Sequence, residues 1–377
     1  MIAFITQYYR GLGHAMRIKY ISDCLPKNSF IVINQLFNPP ITYNTDKSYY
    51  LEDYVSNLDD EYRNFMKHEK VRKRVSKFKD ILNSNPDISI IVCEGFPFCR
   101  QQFAYEYFSM LEECSKKNIK IVISIRDYPW DEPHYQSVQD WVAKTINLTL
   151  EKFNCKILIH GDDKYLPLMA DEVRHYYWRE LENDIKDNIY YTGYVCNPNI
   201  KNHNRTNNNV YISCGLNKEE SFYIYNKILK SLVSKNKDLN FIIALGDKNL
   251  HSKIGNRKTD GVEIVNYIPN LSEKLESCTA YITYGGYNST TDIMKAGIPS
   301  IIIPRQDGHK LEQLIRCYKF KPLDLFKVCS LYNITNINIY LQEILNNYDN
   351  YPNKDLNINL EGANNSAKFL LSLWTIK

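Results

Sequence analysis

Tyr284-Gly285-Gly286-Tyr287-Asn288-Ser289-Thr290-Thr291-Asp292 joins an apolar run, Ala280-Tyr281-Ile282-Thr283, to a stretch with helical spacing over 288–296. A strand that turns through two glycines into a helix places the first N–H groups and the positive dipole end of that helix at the mouth of the turn, where an anion can sit. An earlier turn, Gly11-Leu12-Gly13-His14, follows the β-rich run 2–6 in the same way. One such turn in each half predicts two Rossmann-like α/β units whose ligands lie beyond the carboxyl ends of the strands, in a cleft between the domains.

The spacing on either side of these turns fits that reading. Strands are expected at 2–6, 30–34, 88–93, 119–125, 156–160 and 190–195, with helices at 12–24, 61–82, 103–117 and 138–153. Short apolar runs alternating with helical patterns are the mark of a parallel sheet covered on both faces. The Asn- and Lys-rich stretch 197–209 reads as a linker. The pattern then restarts, with strands at 210–214, 241–245, 262–265, 281–284 and 300–303 and helices near 219–234 and 311–318. The expected domains are 1–196 and 210–360, with a last helix within 361–377 packing back on the first.

Composition narrows the function. The chain has 377 residues, 44% hydrophobic and 24% charged, which suits two globular cores and excludes a disordered or fibrous protein. A net charge of +4 is too mild to imply nucleic acid. Apolar runs are strand-length, and the N-terminus reads as a first strand rather than a leader, so a cytoplasmic protein is expected. The 10 cysteines include no Cys-x-x-Cys pair, which argues for reduced, mostly buried thiols and against a zinc site. The basic stretch Lys67 to Lys79 suits a solvated helix face, or contact with an anionic membrane.

The first turn lacks a third glycine, having Met16 instead, and the second strand ends at Asn34 without an acid, which disfavours a redox dinucleotide. Gly13 allows close backbone approach, and His14 at the helix start can take a proton from a hydroxyl, or act only as a cap. Arg17, one turn on, suits an anion or a surface pair. Three further strand ends carry charge: Glu94 with Arg100, Arg126-Asp127, and His160-Gly161-Asp162-Asp163. Glu94 and Asp127 are therefore alternative bases, or members of internal ion pairs. In the second turn, Gly285 and Gly286 allow close approach, Asn288, Ser289 and Thr290 offer donors to phosphate oxygens, and Asp292 suits a ribose diol. Beyond it, Arg305 or His309 can neutralise phosphate, and Glu312 and Gln313 suit sugar hydroxyls.

Taken together, Gly11-Leu12-Gly13-His14-Ala15-Met16-Arg17, Glu94-Gly95-Phe96-Pro97-Phe98-Cys99-Arg100, Ser124-Ile125-Arg126-Asp127, His160-Gly161-Asp162, Tyr191-Thr192-Gly193-Tyr194, Gly285-Gly286-Tyr287-Asn288-Ser289, Pro304-Arg305 and Glu312-Gln313 give the chain its resemblance to a family. It resembles the MurG-like glycosyltransferases of GT-B fold, related to the N-acetylglucosaminyltransferase of peptidoglycan synthesis in glycosyltransferase family 28. The resemblance implies inverting, metal-independent hexosyl transfer without a cofactor, from a nucleotide-diphosphate sugar, UDP first, to an acceptor hydroxyl. That acceptor would be a saccharide, a lipid-linked compound or a small molecule. It implies donor binding by the second domain and acceptor binding by the first. Asp292 would take the ribose, Gln313 the sugar, and the backbone near Tyr267-Ile268 the base. The chain departs from the family in the short glycine run Ser213-Cys214-Gly215-Leu216, where Ser213 ends the strand, and in Asp292, where a Glu is usual. Two other functions share these motifs: a UDP-sugar hydrolase of the pseudaminic acid type, with a similar Gly-x-Gly-His-x-x-Arg turn, and a non-catalytic nucleotide-sugar binder.

Overall fold

The computed structural model describes residues 1–6, 12–34, 41–51, 69–100, 103–128, 136–167, 185–213, 218–245, 260–269, 271–305, 311–348 and 357–375. The chain forms two compact units, one of Met1–Pro198 with Asn359–Lys377, the other of Asn199–Ile358.

The first unit holds strands β1 (Ile2–Thr6), β2 (Phe30–Asn34), β3 (Ser48–Tyr50), β4 (Ile90–Glu94), β5 (Lys120–Arg126), β6 (Lys156–His160) and β7 (Ile189–Tyr191). They form one seven-stranded sheet in the order β3-β2-β1-β4-β5-β6-β7, and every pairing is parallel. Its helices are α1 (Gly13–Asp23), α2 (Glu69–Ser84), α3 (Ala104–Lys116), α4 (Gln136–Phe153) and, from the far end of the chain, α10 (Gly362–Thr375). All residues of β1, β2 and β4 are buried, as continuous apolar runs in a sheet covered on both faces must be. Of the helix expected over 61–82, the part at 61–68 lies outside the described residues. So does Gly11 of the first turn.

The run expected as a strand over 190–195 pairs only as far as Tyr191. Gly193 there takes φ +84°, and a Cβ on it would lie 2.3 Å from the side chain of Asn359. The chain instead bonds to the segment leading into α10: the Tyr194 N–H donates to the Asn359 carbonyl at 2.8 Å and the Gly362 N–H to the Tyr194 carbonyl at 3.0 Å. Glycine is suited to a backbone turn this close to a neighbouring segment.

On α2, Val71, Arg74, Phe78, Ile81 and Leu82 face inward. Arg74 makes a bidentate pair with Glu106 of α3, both bonds at 2.9 Å, and neither side chain is more than 1% exposed. Lys70, Arg72, Lys73 and Lys79 line the exposed side, where Lys73 pairs with Glu69 at 2.9 Å and Lys79 with Glu113 at 3.5 Å.

The second unit holds β8 (Asn209–Ser213), β9 (Asn240–Ala244), β10 (Val262–Val265), β11 (Ala280–Tyr284), β12 (Ser300–Ile303) and β13 (Lys327–Val328), a parallel sheet ordered β10-β9-β8-β11-β12-β13. Its helices are α5 (Lys218–Leu232), α6 (Leu271–Leu275), α7 (Tyr287–Ala296), α8 (Glu312–Phe320) and α9 (Ile337–Asn346). The core packs Ile212, Ile224, Tyr225, Phe241, Ile282 and Ile301 with Ile337 and Leu341 of α9. The polar stretch after Pro198 is bonded to this unit. His203 donates its N–H to the Ala296 carbonyl at 2.7 Å, and Asn204 and Thr206 donate theirs to the carbonyls of Glu276 and Ser277 at 2.8 and 3.0 Å. Among the described residues, no helix is long and apolar enough to cross a membrane.

Candidate functional site

In the first unit, strand order brings the charged strand ends together. β1, β4, β5 and β6 are neighbours, so α1, which follows β1, starts beside the carboxyl ends of β4 and β5. No side chain caps α1 at Leu12, and His14 lies in its first turn. The His14 imidazole bonds through Nδ1 to Glu94 Oε1 at 3.0 Å. Arg17, one turn on, is 2% exposed and bonds to the same carboxylate oxygen. The second oxygen, Oε2, accepts the Ser124 hydroxyl.

Charge and donor inventory fix how these bonds run. An ionised carboxylate only accepts and a guanidinium only donates, so Nδ1 carries the imidazole proton and gives it to Glu94. Nε2 is then the acceptor, and Arg100 donates to it at 3.2 Å. Burial lowers the His14 pKa most; the Glu94 hydrogen bond pulls it back and the Arg100 charge lowers it again, leaving it at about 4. The imidazole is therefore neutral near pH 7. Burial would raise the Glu94 carboxyl, but the Arg17 guanidinium and His14 overcome this and hold it far below the usual carboxylate range.

These contacts separate the three candidate bases. The His14 side chain is 19% exposed, that of Glu94 0%. Asp127 is also fully buried; its Oδ1 accepts the Tyr128 N–H at 2.8 Å, and its Cβ lies 3.0 Å from where a side chain at Gly161 would start. Only His14 presents an edge to an incoming hydroxyl. Two expectations are corrected here. Arg17 faces an anion, but an internal one: it is buried against the Glu94 carboxylate and does not sit on the surface. The arginine paired with Glu94 is this one, whereas Arg100 lies on the histidine. Asp162 is also structural, its carboxylate accepting the N–H groups of Lys164 at 3.0 Å and Asn359 at 2.9 Å.

In the second unit, the glycine turn has a closed side and an open side. A Cβ on Gly285 would lie 2.5 Å from the Cys317 sulfur of α8, whereas one on Gly286 would meet nothing within 4 Å. Gly286 is the N-cap of α7, and no side chain caps that helix. The turn itself is braced from below by Arg316, which the sequence reading did not single out. Fully buried, it donates to the Gly285 carbonyl at 2.9 Å and pairs with Glu312 at 2.7 Å. Their i, i+4 spacing on α8 was the available signal.

The remaining candidates fall into place around the turn. Glu312, expected to meet sugar hydroxyls, is 5% exposed and held by Arg316. Thr290, expected to give phosphate a donor, is fully buried and returns both its N–H and its hydroxyl to the Gly286 carbonyl, at 3.0 and 2.9 Å. Asn288, Ser289 and Asp292 are partly exposed on α7. Gln313 accepts the Arg305 N–H through Oε1 at 3.1 Å, which orients its side chain. The Ser213 hydroxyl shares hydrogen bonds with Tyr281 and Thr283, the latter at 3.3 Å. Ile268 is 4% exposed, while the Tyr267 ring is 69% exposed. His309 and the run Cys214-Gly215-Leu216 lie outside the described residues. Among those described, no group of three or more His, Cys, Asp and Glu side chains could hold a metal ion.

Residues 209–352 match the glycosyltransferase family 28 C-terminal domain. A stretch of 90 residues, 23% of the chain, is 30% identical to the UDP-N-acetylglucosamine–N-acetylmuramyl-(pentapeptide) pyrophosphoryl-undecaprenol N-acetylglucosamine transferase of Thermosipho melanesiensis. That match spans 25% of this curated relative's length. Among solved structures, MurG of Acinetobacter baumannii superposes with a TM-score of 0.59 at 9% identity, covering 98% of this chain and 99% of that one. MnaA of S. aureus, solved with UDP, superposes with a TM-score of 0.62 at 9% identity, covering 98% and 94%. At such identities the structures speak for the fold, which is GT-B, while the matched segment speaks for the family. The chain is a protein of two Rossmann-like domains with the GT-B fold, whose second domain matches the glycosyltransferase family 28 C-terminal domain and whose relatives are MurG-like.

Proposed function

We propose that the protein is an inverting, metal-independent glycosyltransferase that moves a hexosyl group from a nucleotide-diphosphate sugar, UDP first among donors, to an acceptor hydroxyl. The observation that carries this reading is the His14–Glu94 pair: a neutral imidazole whose Nδ1–H is held by a buried carboxylate and whose Nε2 is the basic end. The acceptor oxygen attacks the anomeric carbon as the bond to the diphosphate breaks on the opposite face, and the hydroxyl proton passes to His14 Nε2. Glu94 stabilises the imidazolium as it forms, by the logic of other carboxylate-oriented histidine bases. The acceptor hydroxyl takes the place of Arg100 at Nε2. Losing that cation raises the basicity of the imidazole at the moment it is needed.

The donor belongs to the second unit. The uncapped start of α7 and the open side of Gly286 suit a diphosphate, whose charge grows as it leaves. Arg305 adds a cation, Asp292 takes the ribose and Gln313 the sugar. UDP is favoured because the family relative is named for UDP-N-acetylglucosamine and a protein of the same fold holds UDP. A lipid-linked or saccharide acceptor is the counterpart in that relative's name. The test is UDP release from UDP-N-acetylglucosamine by the parent and by His14→Ala, with UDP binding followed in parallel. Loss of release with binding retained is the expected result. Release unchanged in His14→Ala would remove His14 as the base.

A further inference from the structure

A second histidine lies behind the first. His160, at the end of β6, is fully buried, and the mechanism above does not use it. Its Nε2 is 2.9 Å from the Ser124 hydroxyl oxygen, and its Nδ1 is 2.9 Å from the Thr192 hydroxyl. Register produces this line. Glu94 of β4 lies opposite Ser124 of β5, while β6 carries His160 opposite Arg126 at the next step of the same rim. Thr192 follows β7, and α10 closes the end: Ser366 approaches His160 Nδ1 at 3.5 Å, and Asn365 donates to the Thr192 carbonyl at 2.8 Å. Consecutive strands thus place Glu94, Ser124, His160 and Thr192 in one hydrogen-bonded row that ends on the base.

The row has one direction. Ser124 has a single proton, and Glu94 takes it, so the Ser124 oxygen must accept from elsewhere. The only group offering it a proton in the row is His160 Nε2–H. That leaves Nδ1 of His160 as the acceptor end, facing the Thr192 hydroxyl at 2.9 Å, which also reaches the Gly193 carbonyl at 2.8 Å and the Ile159 carbonyl at 3.3 Å. We propose that Ser124 and His160 are positioning residues for the base. They fix the carboxylate of Glu94, and through it the tautomer and basicity of His14. The proposal rests on His14 being the base.

Arg17 of α1 and His14 face Glu94, Arg100 faces His14 from the loop after β4, and Arg17 with Glu94 acts on His160. Burial, with the Arg17 charge behind it, lowers His160 to about 3, so it stays neutral and serves as a fixed donor rather than a titrating one.

Removing the Ser124 hydroxyl leaves Glu94 with one donor fewer and a more concentrated negative charge. The carboxylate then favours protonated His14 more strongly, and the His14 titration moves up from about pH 4. The experiment is nitrogen-15 NMR of the two imidazoles in the full-length parent, Ser124→Ala, Ser124→Thr, His160→Leu and His160→Gln, with donor turnover measured over pH. Ser124→Ala and His160→Leu are expected to raise the His14 titration and lower turnover about tenfold with the donor KM unchanged. Ser124→Thr, which keeps the hydroxyl, and His160→Gln, which keeps an N–H for Ser124, restore both. A folded Ser124→Ala or His160→Leu in which His14 titrates as in the parent overturns the proposal. The NMR readout needs no acceptor, so a coupled His14 in a protein without turnover would instead count against the proposed reaction. Should Ser124→Ala and His160→Leu both fail to fold, Thr192→Val reads the same row one step further out, and an unmoved His160 environment there overturns it.

Discussion

At the scale of single residues, the proposed chemistry depends on which group is neutral and which is charged. His14 has a pKa of about 4 because burial and the Arg100 charge outweigh the help of Glu94. As a base it must be unprotonated, so kcat/KM should hold from neutrality downward and fall as the pH passes through about 4. Replacing His14 by Ala should cost roughly 100- to 10,000-fold in turnover. Arg100→Gln removes a cation from Nε2, so the acid limb should move to higher pH. An unmoved limb would show that Arg100 does not act on the base.

The same groups set an acid sensitivity. The folded pKa values of His14 and His160, about 4 and about 3, lie below the unfolded value of about 6.5. The unfolded chain then binds more protons between those limits, so stability falls as the pH drops from about 6.5 towards 3. Glu94 adds to this at the lower end, since its folded pKa also lies below its unfolded one. Denaturant melts of the parent and His160→Gln across this window should show the shallower pH dependence in the variant.

At the scale of elements, the two glycines of the donor turn make opposite demands. Gly285→Ala drives a Cβ to 2.5 Å from the Cys317 sulfur and should destabilise by about 1–3 kcal/mol. A Cβ at Gly286 meets no atom within 4 Å among the described residues beyond its chain neighbours, so Gly286→Val should fold as the parent does. It would still fill the space assigned to the diphosphate, and UDP binding should weaken at least tenfold. Wild-type UDP affinity in Gly286→Val would move the donor elsewhere. The buried Arg74–Glu106 pair is a purely structural counterpart. Glu106→Ala leaves an uncompensated charge and should cost about 3–5 kcal/mol in a chemical melt.

Strands built on a run of buried apolar residues were legible in the sequence because the run is continuous: 2–6, 30–34 and 156–160 match β1, β2 and β6. The short edge strands β3 and β13 escaped, having three and two residues and no pattern long enough to read. The end of β7 was misjudged because Gly193 bends to meet a segment more than 160 residues away, which no local spacing reveals. The site divides along the same line. His14 and Glu94 could be named because each stands at a strand or helix end, but their pairing depends on β1 and β4 being neighbours. Arg17 was left between an anion and a surface pair and Arg316 went unnoticed, since only the fold shows that each lies against a buried carboxylate.

For the whole molecule, the proposed reaction divides the work between the two units, with the diphosphate assigned to the helix start of the second and the base to the first. A ligand that binds only the folded state raises the melting temperature, so UDP-sugars should stabilise the parent more than CMP-sugars do. The most direct test follows the sugar itself. Labelled UDP-N-acetylglucosamine is incubated with the enzyme and a lipid extract, and released UDP is compared with label in the lipid phase and with free sugar. The expected result is one sugar in the acceptor for each UDP released, with the anomeric configuration inverted. Equal amounts of UDP and free sugar, formed without any acceptor, would contradict it.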